Sequence, residues 1–109
     1  MSTQARTTHH AARWARLLLA ALDESLLHVE SLLAAFRLDD PTSALTAIMH
    51  YQSSSAKALR AVQALENTTT HREIHARQAL SHLHRVARVP LALAWALVSQ
   101  LPHSPTTRD

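Results

Sequence analysis

Polar and basic side chains recur at spacings of three and four residues between positions 46 and 60. We call them the polar line: Thr46, His50, Ser53, Lys57 and Arg60, with Gln63 beside its end. Residues at these spacings share one face of a helix, and the line is then about 20 Å long. Lysine and arginine neutralise phosphates, and Ser, Thr and Gln side chains hydrogen-bond phosphates or ribose hydroxyls. The line therefore favours contact with a nucleic-acid backbone, although a solvated helix face has the same pattern.

The distribution of charge also favours a polyanionic partner. Residues 1–40 hold four Lys or Arg against five Asp or Glu, whereas residues 41–109 hold seven against three, for a formal net charge of +3. A basic half of a chain attracts nucleic acid or a membrane surface, or it only keeps a helical bundle soluble. No aromatic ladder accompanies the polar line, as would suit base stacking on single strands. A duplex is therefore favoured over an unpaired strand.

Three of the nine histidines have a spacing that could hold a metal ion. His71 and His75 are four residues apart, and His82 lies seven further along. Histidines four apart on a helix can chelate zinc or copper. However, the segment HREIH lacks the glutamate that directly follows the first histidine in zinc hydrolases, and no carboxylate completes a site. We therefore expect no metal.

The sequence has no arrangement typical of a catalytic site. Asp23 and Glu24 are adjacent, so their side chains point about 100° apart on a helix. No serine lies in a glycine-flanked elbow, and the chain contains no cysteine. We therefore expect neither an enzyme nor a cofactor, and no small-molecule substrate.

The chain that positions the polar line is predicted to be all-α. It has 109 residues without a single glycine or cysteine, which removes the usual residue of tight β-hairpin turns and any disulfide framework. Residues 1–10 are unpatterned and are predicted to be disordered. From Ala11, apolar spacing predicts a first helix, whose inward stripe is Trp14, Leu18, Leu22, Ser25, Leu26, Val29, Leu32, Leu33 and Phe36. Leu17 and Leu27 lie off that stripe and indicate a second apolar side.

The second and third helices are each marked by a start signal. Asp40–Pro41 suits a helix N-terminus, because aspartate caps the free amides and proline fits the first turn. The second helix is predicted to bury Ala44, Leu45, Ile48, Tyr51, Ser55, Ala58, Leu59 and Val62. Thr70 and Glu73 fit a capping box for the third helix, which is predicted to bury Leu80, Leu83 and Ala87.

The end of the chain carries a proline and an apolar run. Pro90 should kink the third helix, because its ring displaces a carbonyl of the preceding turn. Residues 90–101 are too short to span a bilayer, which needs about 20 apolar residues. Residues 102–109 should form a flexible tail, so the helical domain covers 11–101. Three helices with short connections are predicted to run up and down.

The order of these motifs resembles the RNA-silencing suppressor family of nodaviruses. A leucine-rich helix is followed by LDDP at 38–41, by KALRAVQAL at 57–65, and by a polar break before a third helix. The similarity covers roughly residues 22–80. It implies a small helical homodimer that binds double-stranded RNA in the host cytoplasm. One departure is that the first half of the second helix has no Lys or Arg, only Thr46 and His50.

The resemblance also implies roles for individual residues. The first two helices of both chains would form an antiparallel four-helix bundle, with its dimer interface at Leu22, Leu26, Val29, Leu33, Ser55, Ala58, Leu59 and Val62. Arg60 matches an arginine that meets phosphates, and Lys57 lies one turn earlier. Further RNA contacts are expected from the third helix, at Arg72, Arg77 or Arg85.

Two functions are therefore predicted from the sequence. The first is a homodimer that binds double-stranded RNA through its backbone and hides it from the host dicing nuclease and from small-RNA loading. Sequence independence is expected, because A-form RNA is recognised by its shape and 2′-hydroxyls. The alternative is a helical protein-interaction module, such as an antitoxin or adaptor, that uses Leu17, Leu27 and the apolar segment 90–101.

Overall fold

The chain forms a bundle of three helices. The computed structural model describes residues 3–67 and 72–102, which form α1 (Thr3–Arg37), α2 (Pro41–Glu66) and α3 (Arg72–Val98). Each helix packs against both of the others, and no strand occurs in the described residues. The predicted all-α class with three helices is confirmed.

The helix α1 begins earlier than the sequence pattern indicated. It starts at Thr3 and so includes most of the segment for which disorder was predicted. That segment is polar, but it contains neither proline nor glycine to stop a helix. Extending an existing helix by one residue is much easier than nucleating one, so the turns after Ala11 can propagate backwards. The side chains of residues 3–8 lie outside the described part of the structure.

The connection between α1 and α2 uses two aspartates for different purposes. Asp39 has a positive φ of 53°, and its N–H donates to the carbonyl of Phe36 while the N–H of Asp40 donates to that of Ala35. These two bonds form the Schellman ending of a helix, in which glycine usually takes the left-handed position. Asp40 then caps α2, because its carboxylate accepts from the N–H of Ser43 at 3.1 Å and from its hydroxyl at 2.7 Å. The predicted cap at Asp40 is confirmed.

Alanine makes up half of the buried apolar residues in the part of the chain that the structure describes, so the helices pack closely. Ten of the twenty buried hydrophobic residues are alanines, and a side chain that small lets two helix backbones approach each other. Leu32, Ile48, Leu65 and Leu83 are the largest fully buried apolar side chains. Sequence reasoning correctly placed Leu32 and Ile48 on the inward faces of the first two helices, and Leu83 on that of the third.

The inward face of α2 is rotated relative to the predicted one. Ser54 is buried, whereas Ser55 is only partly covered and Leu59 remains 43% exposed. The hydroxyl groups of Ser54 and Ser25 lie 2.8 Å apart across the α1–α2 contact, and each also lies within hydrogen-bond distance of a carbonyl of its own helix. This pairing explains why a serine can occupy the interior. The predicted burial of Ser55 and Leu59 is therefore wrong.

Two predicted core residues of α1 also lie at the surface. Leu26 and Phe36 are both exposed, although each follows the inward spacing. The stripe that α1 buries is narrow, because the small alanine side chains of the neighbouring helices let the helix backbones lie close together.

Within the described residues, no helix has a stretch long and apolar enough to cross a bilayer.

The helix α3 continues through Pro90 from Arg72 to Val98. Leu80, Leu83 and Ala87 are buried as predicted, and Pro90 itself is buried. Because proline has no N–H, it cannot complete the helical hydrogen bond to the carbonyl of Val86. The kink predicted at Pro90 stays a prediction. Thr70, the predicted cap of this helix, and residues 103–109 of the predicted tail lie outside the described residues.

Candidate nucleic-acid interface

The polar line lies on α2 along the groove between α2 and α1. All five of its side chains are exposed, and three surface cavities follow one another beside it. They have volumes of about 220, 280 and 420 Å³ in order from Thr46 to Arg60. Each is lined by α1 and α2 side chains alone among the described residues. A long ligand lying on the polar line would therefore also contact α1.

The two cations of the polar line differ in their surroundings. The amino group of Lys57 lies 3.7 Å from a carboxylate oxygen of Glu24, with both side chains about half exposed. An ion pair exposed to this degree contributes little and is easily exchanged for another partner. Arg60 makes no ion pair within the described part of the chain. Arg60 is therefore the better placed of the two to receive a phosphate.

The uncharged part of the polar line offers hydroxyl and imidazole groups. Thr46 donates a weak hydrogen bond of 3.2 Å to the carbonyl of Thr42, and Ser53 lines the middle cavity. The rings of His50 and His28 lie 5.3 Å apart between centroids and are tilted by 49°. Sequence reasoning missed His28, because spacing along one helix does not show which residue of α1 lies opposite His50 on α2. Two imidazoles alone are too few for a structural zinc site.

The Arg60 end of the polar line has an aromatic neighbour that sequence reasoning assigned only to the core. Trp14 of α1 is half-buried and lines the 420 Å³ cavity. Leu17, Ala20 and Ala21 form the rest of its apolar wall, and Glu24, Lys57 and Arg60 form its charged side. No pattern in the sequence could indicate this, because Trp14 and Arg60 are brought together only by the packing of α1 against α2.

Two of the α3 arginines predicted to contact RNA, Arg77 and Arg85, line no cavity beside the polar line. Arg77 donates to the carboxylate of Glu66 at 2.6 Å, and this hydrogen bond raises the pKa of the Arg77 guanidinium. Arg85 is exposed but lines none of the three cavities, and Gln63 is exposed beyond them. The side chain of Arg72 lies outside the described residues. The RNA contacts predicted for α3 therefore stay a prediction.

The histidines considered for a metal site do not converge in the described part of the chain. His75 and His82 are both exposed on α3, and His71 lies outside the described residues. Among the residues that are described, no group of three or more His, Asp or Glu side chains could hold a metal ion.

The residues predicted for a dimer interface differ in how far this single chain already covers them. Val29, Ala58 and Val62 are buried within the bundle, and Leu22, Leu33 and Ser55 are partly covered. Leu26 and Leu59 are more than two-fifths exposed. Only these last two present substantial apolar surface to a partner in this arrangement of helices.

Comparison with known proteins identifies no relative of this chain. The sequence matches no known protein family, and no curated protein or solved structure matches it significantly. Function is therefore inferred from the residues and from their geometry.

Proposed function

We propose that the chain binds double-stranded RNA through the polar line, without reading base sequence. The observation that carries this proposal is the exposed line itself, which ends in Arg60, a cation with no ion pair in the described residues. A line of about 20 Å with two cations, two hydroxyls and an imidazole matches the chemistry of phosphate and ribose contact. Among the described residues, Glu24 is the one acid that lines these cavities.

The shape of the surface favours a duplex. A-form RNA has a wide, shallow minor groove bordered by phosphates and 2′-hydroxyls, so a straight helix face can contact it without entering a groove. Each neutralised phosphate releases bound counterions, which makes affinity fall with salt. With only Lys57 and Arg60 as its cations, one polar line would make the logarithm of affinity fall gently with the logarithm of salt concentration. A second chain on the same duplex would double that slope.

We further propose that two chains act together, as the resemblance to nodaviral suppressors implies. Exposed apolar side chains such as Leu26 and Leu59 support association, because a chain of this size buries only a modest share of its apolar surface. A homodimer would place two polar lines on one duplex. A duplex covered in this way is hidden from dicing and from small-RNA loading in the host cytoplasm, and no catalysis is needed.

The decisive experiment compares three ligands at fixed salt. Fluorescence anisotropy should show tighter binding of a 20-base-pair RNA duplex than of the matching DNA duplex or single strand. Arg60→Gln should weaken RNA binding equally for unrelated duplex sequences, because phosphate contacts carry no sequence information. The matched control is Arg88→Gln, which removes an equal charge from an exposed position on α3. Equal losses in the two variants, or no preference for RNA duplex, would show the proposal to be wrong.

A helical protein-interaction module remains the second candidate, supported by exposed apolar side chains rather than by the polar line. Leu17 and Leu27 are both exposed on α1, and Trp95 is exposed within the predicted apolar segment. Large apolar side chains at a surface are typical of protein contacts when they cluster. Purification with a stoichiometric protein partner and no nucleic-acid absorbance would favour this function over RNA binding.

A further inference from the structure

We infer that the cavity lined by Trp14 and Arg60 binds an unpaired nucleotide, and that this site lets the chain prefer RNA duplexes with unpaired ends. The inference deepens the proposed function, on which its duplex part depends. It adds a ligand class that the polar line alone does not provide, because a line of hydroxyls and cations has no surface for a base. We call this cavity the Trp14 cavity.

The composition of the Trp14 cavity matches the two parts of a nucleotide. One wall is apolar, formed by Trp14, Leu17 and the alanines at 20 and 21, and the other carries Lys57 and Arg60. A base needs an apolar or aromatic wall, and its phosphate needs a cation. The cavity volume of about 420 Å³ lies within the range of small-molecule sites, about 300–1,000 Å³.

The charges around the cavity favour an anion despite the presence of Glu24. That carboxylate lies 3.7 Å from Lys57, so the two charges largely offset each other. Arg60 has no ion pair in the described residues and therefore leaves the rim with net positive charge. A neutral apolar ligand would gain nothing from this cation, whereas a nucleotide uses both walls.

The position of the cavity connects it to a duplex. It lies at the Arg60 end of the polar line, and both share Lys57 and Arg60. A strand whose phosphates follow the line would reach the cavity at its last contacts. Base pairs inside a duplex are stacked and cannot enter, whereas an unpaired terminal base can turn aside. Stacking on an aromatic side chain is tolerant of base identity, so no sequence preference is expected.

The test uses the fluorescence of Trp14 in the full chain. The protein has two tryptophans, at 14 and 95, so Trp95→Phe leaves Trp14 as the single reporter. The probes are a blunt 20-base-pair RNA duplex, the same duplex with two unpaired nucleotides at each 3′ end, a single strand, and uridine 5′-monophosphate. Stacking of a base on Trp14 should quench its emission.

We expect the duplex with unpaired ends to quench Trp14 at saturation and to bind at least about fivefold tighter than the blunt duplex, which is the lower end of what one stacked base contributes. In an anisotropy titration, Trp14→Leu should remove that preference, so that the two duplexes bind this variant with affinities within about twofold of each other. The quenching measurement needs no change at position 14, so it decides the matter even if that variant is unstable.

The outcomes separate this inference from the proposed function. Equal binding of both duplexes with no change in Trp14 emission would overturn the cavity assignment and leave backbone binding intact. Quenching by the single strand and by uridine monophosphate, with no duplex binding, would support the nucleotide site and overturn duplex recognition. No binding and no quenching by any probe would overturn both.

Discussion

Glu24 offers the sharpest test of how the α1–α2 groove is used. If nucleic-acid phosphates lie along the polar line, this carboxylate opposes them, and Glu24→Gln should strengthen binding. If the groove is only a solvated surface, the same substitution should have no effect on RNA affinity. The two interpretations therefore predict different outcomes, a gain in RNA affinity or no change, for a substitution that nearly preserves the shape of the side chain.

The size of the effect follows from the geometry around Lys57. Its amino group lies 3.7 Å from the carboxylate of Glu24, and a phosphate oxygen accepting from that amino group would lie about 3 Å further on. At roughly 6.5 Å in a water-like dielectric, repulsion between the two unit charges costs about 0.6 kcal/mol. A water-like value is appropriate because both side chains are about half exposed. The expected gain is therefore about threefold in affinity for each polar line.

The assay is fluorescence anisotropy with a labelled 20-base-pair RNA duplex at two salt concentrations. The gain should shrink at higher salt. The Debye length is about 8 Å at physiological ionic strength and shortens as salt is added, so the repulsion at roughly 6.5 Å becomes screened. The control is Glu30→Gln, which removes an equal charge from an exposed position of α1 lining a different cavity, beside Arg37. Because an exposed ion pair contributes little to stability, the melting temperature should hardly change.

Two results would refute the reasoning. One is an equal effect of Glu24→Gln and Glu30→Gln, which would mean that only net charge matters. The other is weaker binding after Glu24→Gln, which would mean that the carboxylate accepts a hydrogen bond from the ligand. A double substitution with Lys57→Gln adds a further check, because the gain should fall when no phosphate is held at that position.

Three further predictions concern the fold. Asp39→Gly should raise the unfolding free energy by about 0.5–1 kcal/mol in urea titrations, because Asp39 has a positive φ that glycine adopts without a steric penalty; a loss would contradict the Schellman ending. Ser54→Leu should cost about 1–3 kcal/mol by overpacking, whereas Ser55→Leu should cost clearly less, and equal costs would contradict the rotated face of α2. Tyr51 has a buried hydroxyl without a hydrogen-bond partner in the described residues, so Tyr51→Phe should leave stability at pH 7 unchanged or higher. Burial raises the pKa of Tyr51, because the folded protein favours the protonated phenol. The stability that depends on this protonated form is fully present below about pH 10 and is lost as pH rises through the folded-state pKa. In urea titrations from pH 7 to 11, the unfolding free energy of the phenylalanine variant should therefore rise relative to that of the wild type above pH 10. A constant difference between the two proteins across this pH range would contradict the prediction.

Local signals in the sequence were sufficient to predict the helices. Apolar spacing, the absence of glycine, and Asp40 followed by Pro41 depend only on neighbouring residues, and α2 begins at Pro41 as they indicated. The start of α1 was less predictable. Residues 3–10 have no periodic pattern, and their helix is an extension of the turns that follow.

Side-chain burial was predicted less well, because it depends on how close the neighbouring helices lie. Ser54 and Ser55 are adjacent and chemically identical, and only the pairing of Ser54 with Ser25 across the helix contact decides which one is inside. Leu59 follows the apolar spacing but is exposed, because the alanine-rich contacts occupy the neighbouring part of α2.

The sequence by itself determined the polar line, since five residues at helical spacing must share a face once the segment is helical. Only the tertiary structure decided what lies beside that line. His28, Glu24 and Trp14 are 22, 33 and 46 residues away in sequence from His50, Lys57 and Arg60, and the antiparallel packing of α1 on α2 brings each pair to one groove. Helical periodicity relates residues within a helix, whereas the register between two helices depends on which side chains pack into the contact.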